Sequence, residues 1–491
     1  MLKRFRSFPI FNRELFISPA RYLRLWNKTE RRLIMQDKFG PPVNRDMRVL
    51  DRSFFKKDVN LLVATFPDPK HLGNFVKACK GEILLLPGVK HIVPVENTRG
   101  VLLRQDIDDI STYEDKLSPT ALEKIKEYGV SIKPYVLTLD YSFWKADDIL
   151  NAVLPENLLD EIPTGFAQAG HIAHLNLRSE FKPYGPLIGQ VILDKNSKIE
   201  TVVDKVDSIG TKFRTFKMKI LAGKDDFIVE QSESGCKFRF DFSSVYWNSR
   251  LSTEHERLIT QFQPNEVVGD VFAGVGPFAV PAGKKNVLVL ANDLNPESYK
   301  YLKENISLNN VQQFVQPYNY DGREFIRESP RILLEWAKSE GKVQKTKTIK
   351  RRKVDPQTKE KITTKDVEVT SVPIPKFFTN YVMNLPDSAL TFLDEFVGLY
   401  SRFPEVEEAV KNDPDFKLPI INVHCFEKYS PTETEPSMEE LHRRVHAKIV
   451  KLIGFEAPFE KFSFHLVRKV SPTKPMFCVT FELPHEVAFK K

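Results

Sequence analysis

The stretch that most constrains the fold of this chain is Glu266–Pro296, EVVGDVFAGVGPFAVPAGKKNVLVLANDLNP. Glu266–Val271 alternates into a short apolar strand, Gly274 and Gly276 punctuate the turn after it, and a small-residue helix leads to a second strand, Val287–Ala291. The unit is β-α-β, and Asp293 ends it 19 residues beyond Gly274, where α/β nucleotide folds place a ribose-binding acid. A glycine turn lets backbone approach a ligand, and a carboxylate at the second strand tip accepts both ribose hydroxyls. The third glycine of GxGxxG is absent, and Pro277 stands where a dinucleotide site would offer helix N–H groups to pyrophosphate. The ligand expected is therefore a nucleoside without phosphates. S-adenosylmethionine fits, with its methionine tail along the glycine turn and its ribose on Asp293. Glycines alone would serve packing equally well; strand, turn, helix, strand and acid in register favour the cofactor.

The 491 residues suggest about three domains, and 41% apolar composition is ample for buried cores. A net charge of +8 favours a polyanionic partner. Cys79, Cys236, Cys425 and Cys478 are scattered without CxxC or Cys/His spacing, so a reduced protein with no structural zinc and no disulfide framework is expected. His171 and His174 are close in sequence but have no acidic or cysteine partner nearby, and no metal site is assigned. No apolar run approaches the ~20 residues of a membrane helix.

Residues 1–48 form a basic leader. Its first 35 residues hold nine Lys/Arg against two acids, with aromatic and aliphatic residues interleaved, which suits a mitochondrial targeting segment and a basic RNA-binding arm about equally. Met35 reads as a candidate internal start whose use would remove it, and cytoplasmic and mitochondrial forms are then expected. Residues 49–140 read as a small α/β docking module: a strand over Val59–Phe66, a helix over Pro69–Cys79, short strands near Ile92 and Val101, and a helix over Pro119–Tyr128. Residues 141–245 read as a second α/β module, with Phe143 and Trp144 as core, a strand over Leu187–Leu193, and Lys205, Lys212, Arg214, Lys217 and Lys219 on a phosphate-contacting strand face and its approach. Residues 246–491 continue the sheet. Ser252 or Thr253 is expected to cap a helix from Glu254, strands follow at Phe314–Tyr318, Phe378–Met383 and Leu418–His424, a helix at Met438–Ile453, and a terminal hairpin over Phe462–Lys469 and Met476–Leu483. The polar, basic segment 341–370 reads as a flexible insertion, and Lys350–Lys353 as a nuclear localisation signal, an RNA contact or a solvated loop.

The motifs FRTFKMKILAG, YWNSRLSTEHERL, DVFAGVGPF, NDLNP, YDGREF and MNLPDSALTFL, in this order over roughly 212–393, resemble the eukaryotic and archaeal tRNA (guanine37-N1)-methyltransferase family. The resemblance implies a class I, Rossmann-like S-adenosylmethionine-dependent domain preceded by two small α/β RNA-binding domains. It implies a monomeric enzyme that takes tRNA with guanosine 37, not DNA and not a membrane surface. It puts Arg214, Arg250, Glu254 and Asn384 at the reaction centre. His255, Gly274, Gly276, Asp293, Leu294, Asp321, Gly322, Asn384 and Pro386 would surround the cofactor, His255 holding the methionine carboxylate less strongly than the guanidinium some relatives carry there.

The chemistry can be argued beside the family. N1 of guanine carries a proton at neutral pH, so methylation requires a base and a cation near O6. Glu254 is expected as the base, with a raised pKa in a closed site, Arg214 as the O6 partner, and Asn384 as the group orienting the base edge. The chemistry admits Mg²⁺ without requiring it. A cytosine-C5 methyltransferase would need a cysteine nucleophile, and Cys425 lies outside the motifs; an exocyclic-amine enzyme would carry NPPY where NLPD stands. The alternatives kept are the wybutosine-pathway transfer of the aminocarboxypropyl arm, and a non-catalytic tRNA-binding protein.

Tagged full-length protein and its Met35→Ala variant are expected to distribute differently between cytoplasm and mitochondria; identical distributions in microscopy would refute the internal start.

Overall fold

The computed structural model describes residues 38–206, 213, 217–354 and 361–491, with side chains described except over 345–368. The leader through Met35, Lys212 and Arg214, and the side chains of Lys350–Lys353, lie outside the described residues. Two compact units emerge, one of residues 1–164 and 178–196, the other of 165–177 and 197–491.

The first unit contains β1 (Lys57–Thr65), α1 (Lys70–Ala78), β2 (Ile92–Val95), β3 (Thr98–Leu102), α2 (Pro119–Glu127), β4 (Ser131–Leu139), α3 (Ala146–Val153) and α4 (Gly185–Lys195). Its sheet runs β2-β3-β1-β4, antiparallel throughout. Leu62, Ala64 and Phe66 meet Phe75 of α1 and Ala121 of α2 in one buried cluster. Ser118 caps α2 by accepting from the Ala121 N–H. Trp144 is core as expected, and its indole N–H donates to the Phe39 carbonyl at 2.8 Å.

One expectation is corrected here. Leu187–Leu193 is not a strand but the middle of α4. Leu187, Ile188, Val191 and Ile192 are all buried, the i, i+1, i+4, i+5 spacing of a helix face, and a short β-branched run does not separate the two periods.

The second unit opens with a four-stranded sheet, β5 (Ala167–Ala169), β6 (Ile172–Leu175), β7 (Thr201–Lys205) and β8 (Met218–Gly223), and a hairpin of β9 (Ile228–Glu233) and β10 (Cys236–Asp241). Then come α5 (Ser252–Gln261), β11 (Val267–Asp270), α6 (Ala279–Lys284), β12 (Leu288–Asn292), α7 (Pro296–Leu308), β13 (Val315–Tyr318) and α8 (Gly322–Glu340). A hairpin of β14 (Lys342–Val354) and β15 (Lys361–Pro373) follows, and β16 (Asn380–Met383), β17 (Ile420–Phe426), α9 (Met438–Ile453), β18 (Ser463–Ser471) and β19 (Lys474–Glu482) complete the unit.

Seven strands make one sheet in the order β13-β12-β11-β16-β17-β19-β18. The first five are parallel, and β19 and β18 close it as an antiparallel hairpin. Chain order reverses between β11 and β16, so the carboxyl ends of these strands form the crevice where open α/β sheets take ligands. This is the expected doubly wound architecture of class I methyltransferases. β11 and β12 are buried along their full length, as strands covered by helices on both faces must be.

The insertion is also corrected. Lys342–Val354 pairs with Lys361–Pro373 over thirteen residues, so this segment is a hairpin rather than an irregular loop. Its composition is polar, but its alternating Thr, Val and Ile carry strand propensity, and Val343, Val372 and Ile374 anchor its base in the core. Helix α5 starts two residues earlier than expected: Asn248 caps a short turn over Ser249–Leu251, and α5 grows from that turn at Ser252 without a side-chain cap of its own.

Among the described residues, strand β10 has no strand neighbour beyond β9. Its outer edge is completed by two asparagines of α7: Asn305 accepts from the Arg239 N–H at 2.7 Å, and Asn309 accepts from the Lys237 N–H at 2.9 Å. Four helical residues advance about 6.0 Å and two strand residues about 6.6 Å, so the ladders match. The Asn305 amide also donates to the Val275 carbonyl in the glycine turn at 3.1 Å. No helix among the described residues is long and apolar enough to cross a membrane.

Asn305→Ala leaves a part-buried N–H and a buried carbonyl unpaired, and is expected to destabilise this unit by about 2 kcal/mol. A lowered midpoint in urea unfolding checks this.

Candidate active site at the carboxyl edge of the sheet

The glycine turn leaves β11 with Gly274 at φ +56° and Gly276 at φ +96°, the left-handed region that glycine tolerates best. A Cβ at Gly276 would come within 2.8 Å of Val280 and 2.9 Å of Leu302, whereas one at Gly274 meets nothing within 4 Å. The first glycine therefore faces open space and the second faces packing. Asp293, just past β12, accepts from the Gly274 N–H at 2.8 Å and the Asn295 N–H at 2.9 Å. Burial raises its pKa against the lowering of these two N–H groups. The glycine turn and the acid thus meet directly at the strand edge.

The neighbouring tips are tied together by a residue that the sequence reading passed over. Asn292, fully buried, donates to the carbonyls of Val271 and Tyr320 and accepts from the Tyr320 N–H, linking the ends of β11, β12 and β13. Asn319 adds bonds to the Asp293 and Leu294 carbonyls. Asp321 caps α8 through the Arg323 N–H, and Gly322 leaves room that a Cβ would lose against the rings of Phe272 and Phe392. Asn384 follows β16, and its buried Oδ1 has no partner among the described residues. In the same turn the Pro386 carbonyl accepts from the Phe426 N–H.

Asp270, the last residue of β11, is the second missed residue. Neither of its fully buried carboxylate oxygens has a hydrogen-bond partner among the described residues; the Phe272 N–H acts on them only weakly. Burial first, and then the neighbouring Asp293 charge, raises its pKa to about 8. The signal in the sequence was an acid ending an apolar strand. An orphaned carboxylate, an orphaned amide oxygen and a glycine with open space fit a ligand carrying an ammonium group and a nucleoside.

Glu254 is 4% exposed on α5. Its Oε1 accepts from His424 Nε2 at 2.8 Å and Arg257 Nη2 at 2.8 Å, and its Oε2 from Arg257 Nε at 2.7 Å. The raised pKa expected for this group is corrected: burial pushes upward, but the bonds and charges of Arg257 and His424 outweigh it and hold the carboxyl at about 2. Burial likewise opposes a proton on His424, and the Cys478 sulfur and the Glu254 carboxylate overcome it, raising His424 to about 10. Glu254, His424 and Cys478 bring ligand atoms within 4.8 Å of one another, yet the carboxylate already has two cationic partners.

His255 is turned into the interior, its Nδ1 at 2.5 Å from Glu233 Oε1 and its ring against Phe278. Arg250 is exposed on the turn before α5 and lines a cavity of about 780 Å³. Phe166, Tyr246, Pro386 and Phe426 supply apolar surface there, and Lys205, Arg468 and Lys474 supply positive charge. That volume accommodates a nucleotide. Phe426 and Met476 of its floor lie two residues along their strands from His424 and Cys478, on the same sheet face, so the cavity adjoins the Glu254 cluster.

Comparison with known proteins gives two profile matches, the TYW2 N-terminal domain at residues 146–226 and the TRM5/TYW2 methyltransferase domain at 229–355. Curated relatives named tRNA (guanine(37)-N(1))-methyltransferase include one from Candida albicans strain WO-1, 60% identical over 92% of this chain and 99% of its own length. Those from Saccharomyces cerevisiae and Schizosaccharomyces pombe are each 50% identical, over 91% of this chain and 95% and 96% of their own lengths. Among solved structures, Trm5b from Pyrococcus abyssi aligns with a TM-score of 0.51 at 22% identity, covering 86% of this chain and 99% of its own. A complex of aTrm5 and tRNALeu gives 0.54 at 16%, covering 86% and 100%. At these identities the structural matches speak for the fold.

The sign of the Asp270 shift sets a pH dependence. An acid raised from 3.8 to about 8 binds its proton more tightly folded than unfolded, so its contribution to stability falls as pH rises between those values. Asp270→Asn is expected to flatten the fall in unfolding free energy between about pH 5 and about pH 8, leaving the separate decline that the raised His424 brings above about pH 6.5. Urea titrations of both proteins check it.

Proposed function

The chain belongs to the tRNA (guanine(37)-N(1))-methyltransferase family, and from that premise we propose how its own residues carry the transfer of a methyl group from S-adenosylmethionine to N1 of guanosine 37 in tRNA. The observation that carries this reading is the Asp293 carboxylate on the Gly274 N–H, at the same strand edge as the cavity between Arg250 and Pro386. The cofactor, when bound, supplies a methyl group on a sulfonium. Asp293 accepts from the ribose hydroxyls, Asp270 faces the ammonium, and Asp321 and Gly322 serve the adenine. A guanine extruded from the anticodon loop, at a cost of about a few kcal/mol, enters the cavity, where Tyr246 and Phe426 offer apolar surface and Asn384 Oδ1 an acceptor for its edge.

Glu254 takes the N1 proton. With Arg257 bound to both oxygens it is a weak base, so Arg257, about a quarter exposed, leaves the carboxylate as the guanine enters. Arg214 holds the charge that develops at O6. The basic rim of Lys205, Arg468 and Lys474 suits tRNA phosphates, and the N-terminal module serves as a docking element for the tRNA body. Cytosine-C5 chemistry finds no nucleophile in Cys425, because burial pushes its thiol up to about 12. The wybutosine-type transfer shares the fold and the cofactor, but the relatives at 50–60% identity bear the guanine-N1 name.

Single-turnover incubation with S-adenosylmethionine and an unmodified tRNA transcript, read by nucleoside mass spectrometry, tests the reading. N1-methylguanosine is expected, and it should vanish when guanosine 37 is replaced by adenosine; an aminocarboxypropyl adduct would overturn the assignment. Glu254→Gln should slow methyl transfer by about 100-fold or more with cofactor affinity nearly unchanged. Asp293→Ala should chiefly weaken the cofactor, by about 10- to 100-fold.

A further inference from the structure

His424, Cys478 and His465 form a row across three strands. The registers pair His424 of β17 with Cys478 of β19, and Cys478 with His465 of β18, so all three side chains project from one face of the sheet. Glu254 lies against this row from α5. Its two neighbours on the row differ: His424 is fully buried and bonded to Oε1, whereas the side chain of His465 is 46% exposed with Nε2 at 3.5 Å from Oε2. Oε2 is also the oxygen bound by Arg257 Nε. When Arg257 leaves, His465 is the titratable group at that oxygen with a path to solvent.

A proton taken by Glu254 needs such a path, because a protonated carboxyl beside the charged His424 is unstable and the carboxyl itself is shut off from water. We propose that His465 is the proton exit of the reaction, receiving from Glu254 Oε2 the proton removed from guanine N1 and releasing it to solvent. The balance is simple. The N1–H bond breaks and its proton joins the Glu254 carboxylate, the N1 electron pair forms the new bond to the methyl carbon, and the carbon–sulfur bond breaks to leave a neutral thioether. The proton then passes to His465 Nε2 and from there to water, and nothing is oxidised or reduced.

The groups facing His465 are Glu254 and Arg257 from α5, His424 from β17 and Cys478 from β19. Burial, Arg257 and His424 lower its pKa below the ordinary histidine value, against the pull of Glu254. The imidazole is therefore neutral and ready to accept at pH 7, while His424 stays charged. Holding Glu254 in place falls to His424, and carrying the proton falls to His465.

This inference rests on Glu254 being the base, and the test separates the two. Single-turnover methyl transfer to the guanosine-37 transcript is measured in dilute buffer for the parent, His465→Ala and Glu254→Gln. His465→Ala is expected to be at least about tenfold slower, short of the ~100-fold or more expected for the base itself. Added imidazole should restore its rate without accelerating the parent. Cofactor affinity and thermal midpoint should match the parent, since the side chain is half exposed. In NMR titration of the parent, the His465 midpoint should lie below the ordinary histidine value and drop further in Glu254→Gln, which removes the carboxylate charge. An unchanged rate in His465→Ala, or a slow one that imidazole does not restore, overturns the proton exit. Parent-like activity in Glu254→Gln overturns the base assignment, and the handover with it, whatever His465→Ala does.

Discussion

The ionised carboxylate of Glu254 is the constraint around which the catalytic unit is arranged. A charge taken this far from water is tolerable only if it is paired and fully hydrogen-bonded. Its partners come from α5 itself, through Arg257, and from β17, through His424, with Cys478 and His465 completing the wall from the terminal hairpin. This cluster therefore fixes α5 against the last three strands of the sheet. It also gives the antiparallel hairpin of β18 and β19 a part beyond finishing the sheet, since the hairpin carries Cys478 and His465 of this cluster.

The other half of the site is organised by backbone rather than by charge. β11, β12 and β13 end at one edge because they are parallel, and Asn292 holds their tips with three hydrogen bonds. The glycine turn, Asp293 and Asp321 all depend on that edge. Asn305 ties the same turn to β10, so helix α7 reaches both the ligand loop and the hairpin that packs beside it. Asp270 sits where the two halves meet, close enough to feel both Asp293 and His424. Its raised pKa is the expected result for a carboxyl that lacks both water and a partner, and an incoming ammonium would answer that lack.

Charge on this protein has two scales. The net +8 and the basic rim of the cavity act over distance on a polyanion and are screened by salt. The Glu254 cluster acts over a few ångströms and is shielded from salt by burial. The same contrast separates His424 from His465: one imidazole is kept charged by the groups that enclose it, and the other, half in water, is kept neutral.

Much of this was legible in the sequence because it rests on local pattern. The alternation before Gly274, the glycines and the acid at Asp293 specify a β-α-β unit and a nucleoside, and the ordered motifs through NLPD specify the family; helix Met438–Ile453 lies where its periodicity places it. Composition was less reliable: it hid the strand alternation of 342–373, and a β-branched run concealed the helix at 185–195. What only the tertiary structure decided is the state and company of Glu254. His424 stands 170 residues away along the chain, and His465 and Cys478 still further; each is an ordinary strand residue in isolation. Strand register alone sets them in one row, and the bonds and charges that this register brings together, outweighing burial, give a charged histidine and a carboxylate held low, while burial and the neighbouring cations keep the third group, His465, neutral.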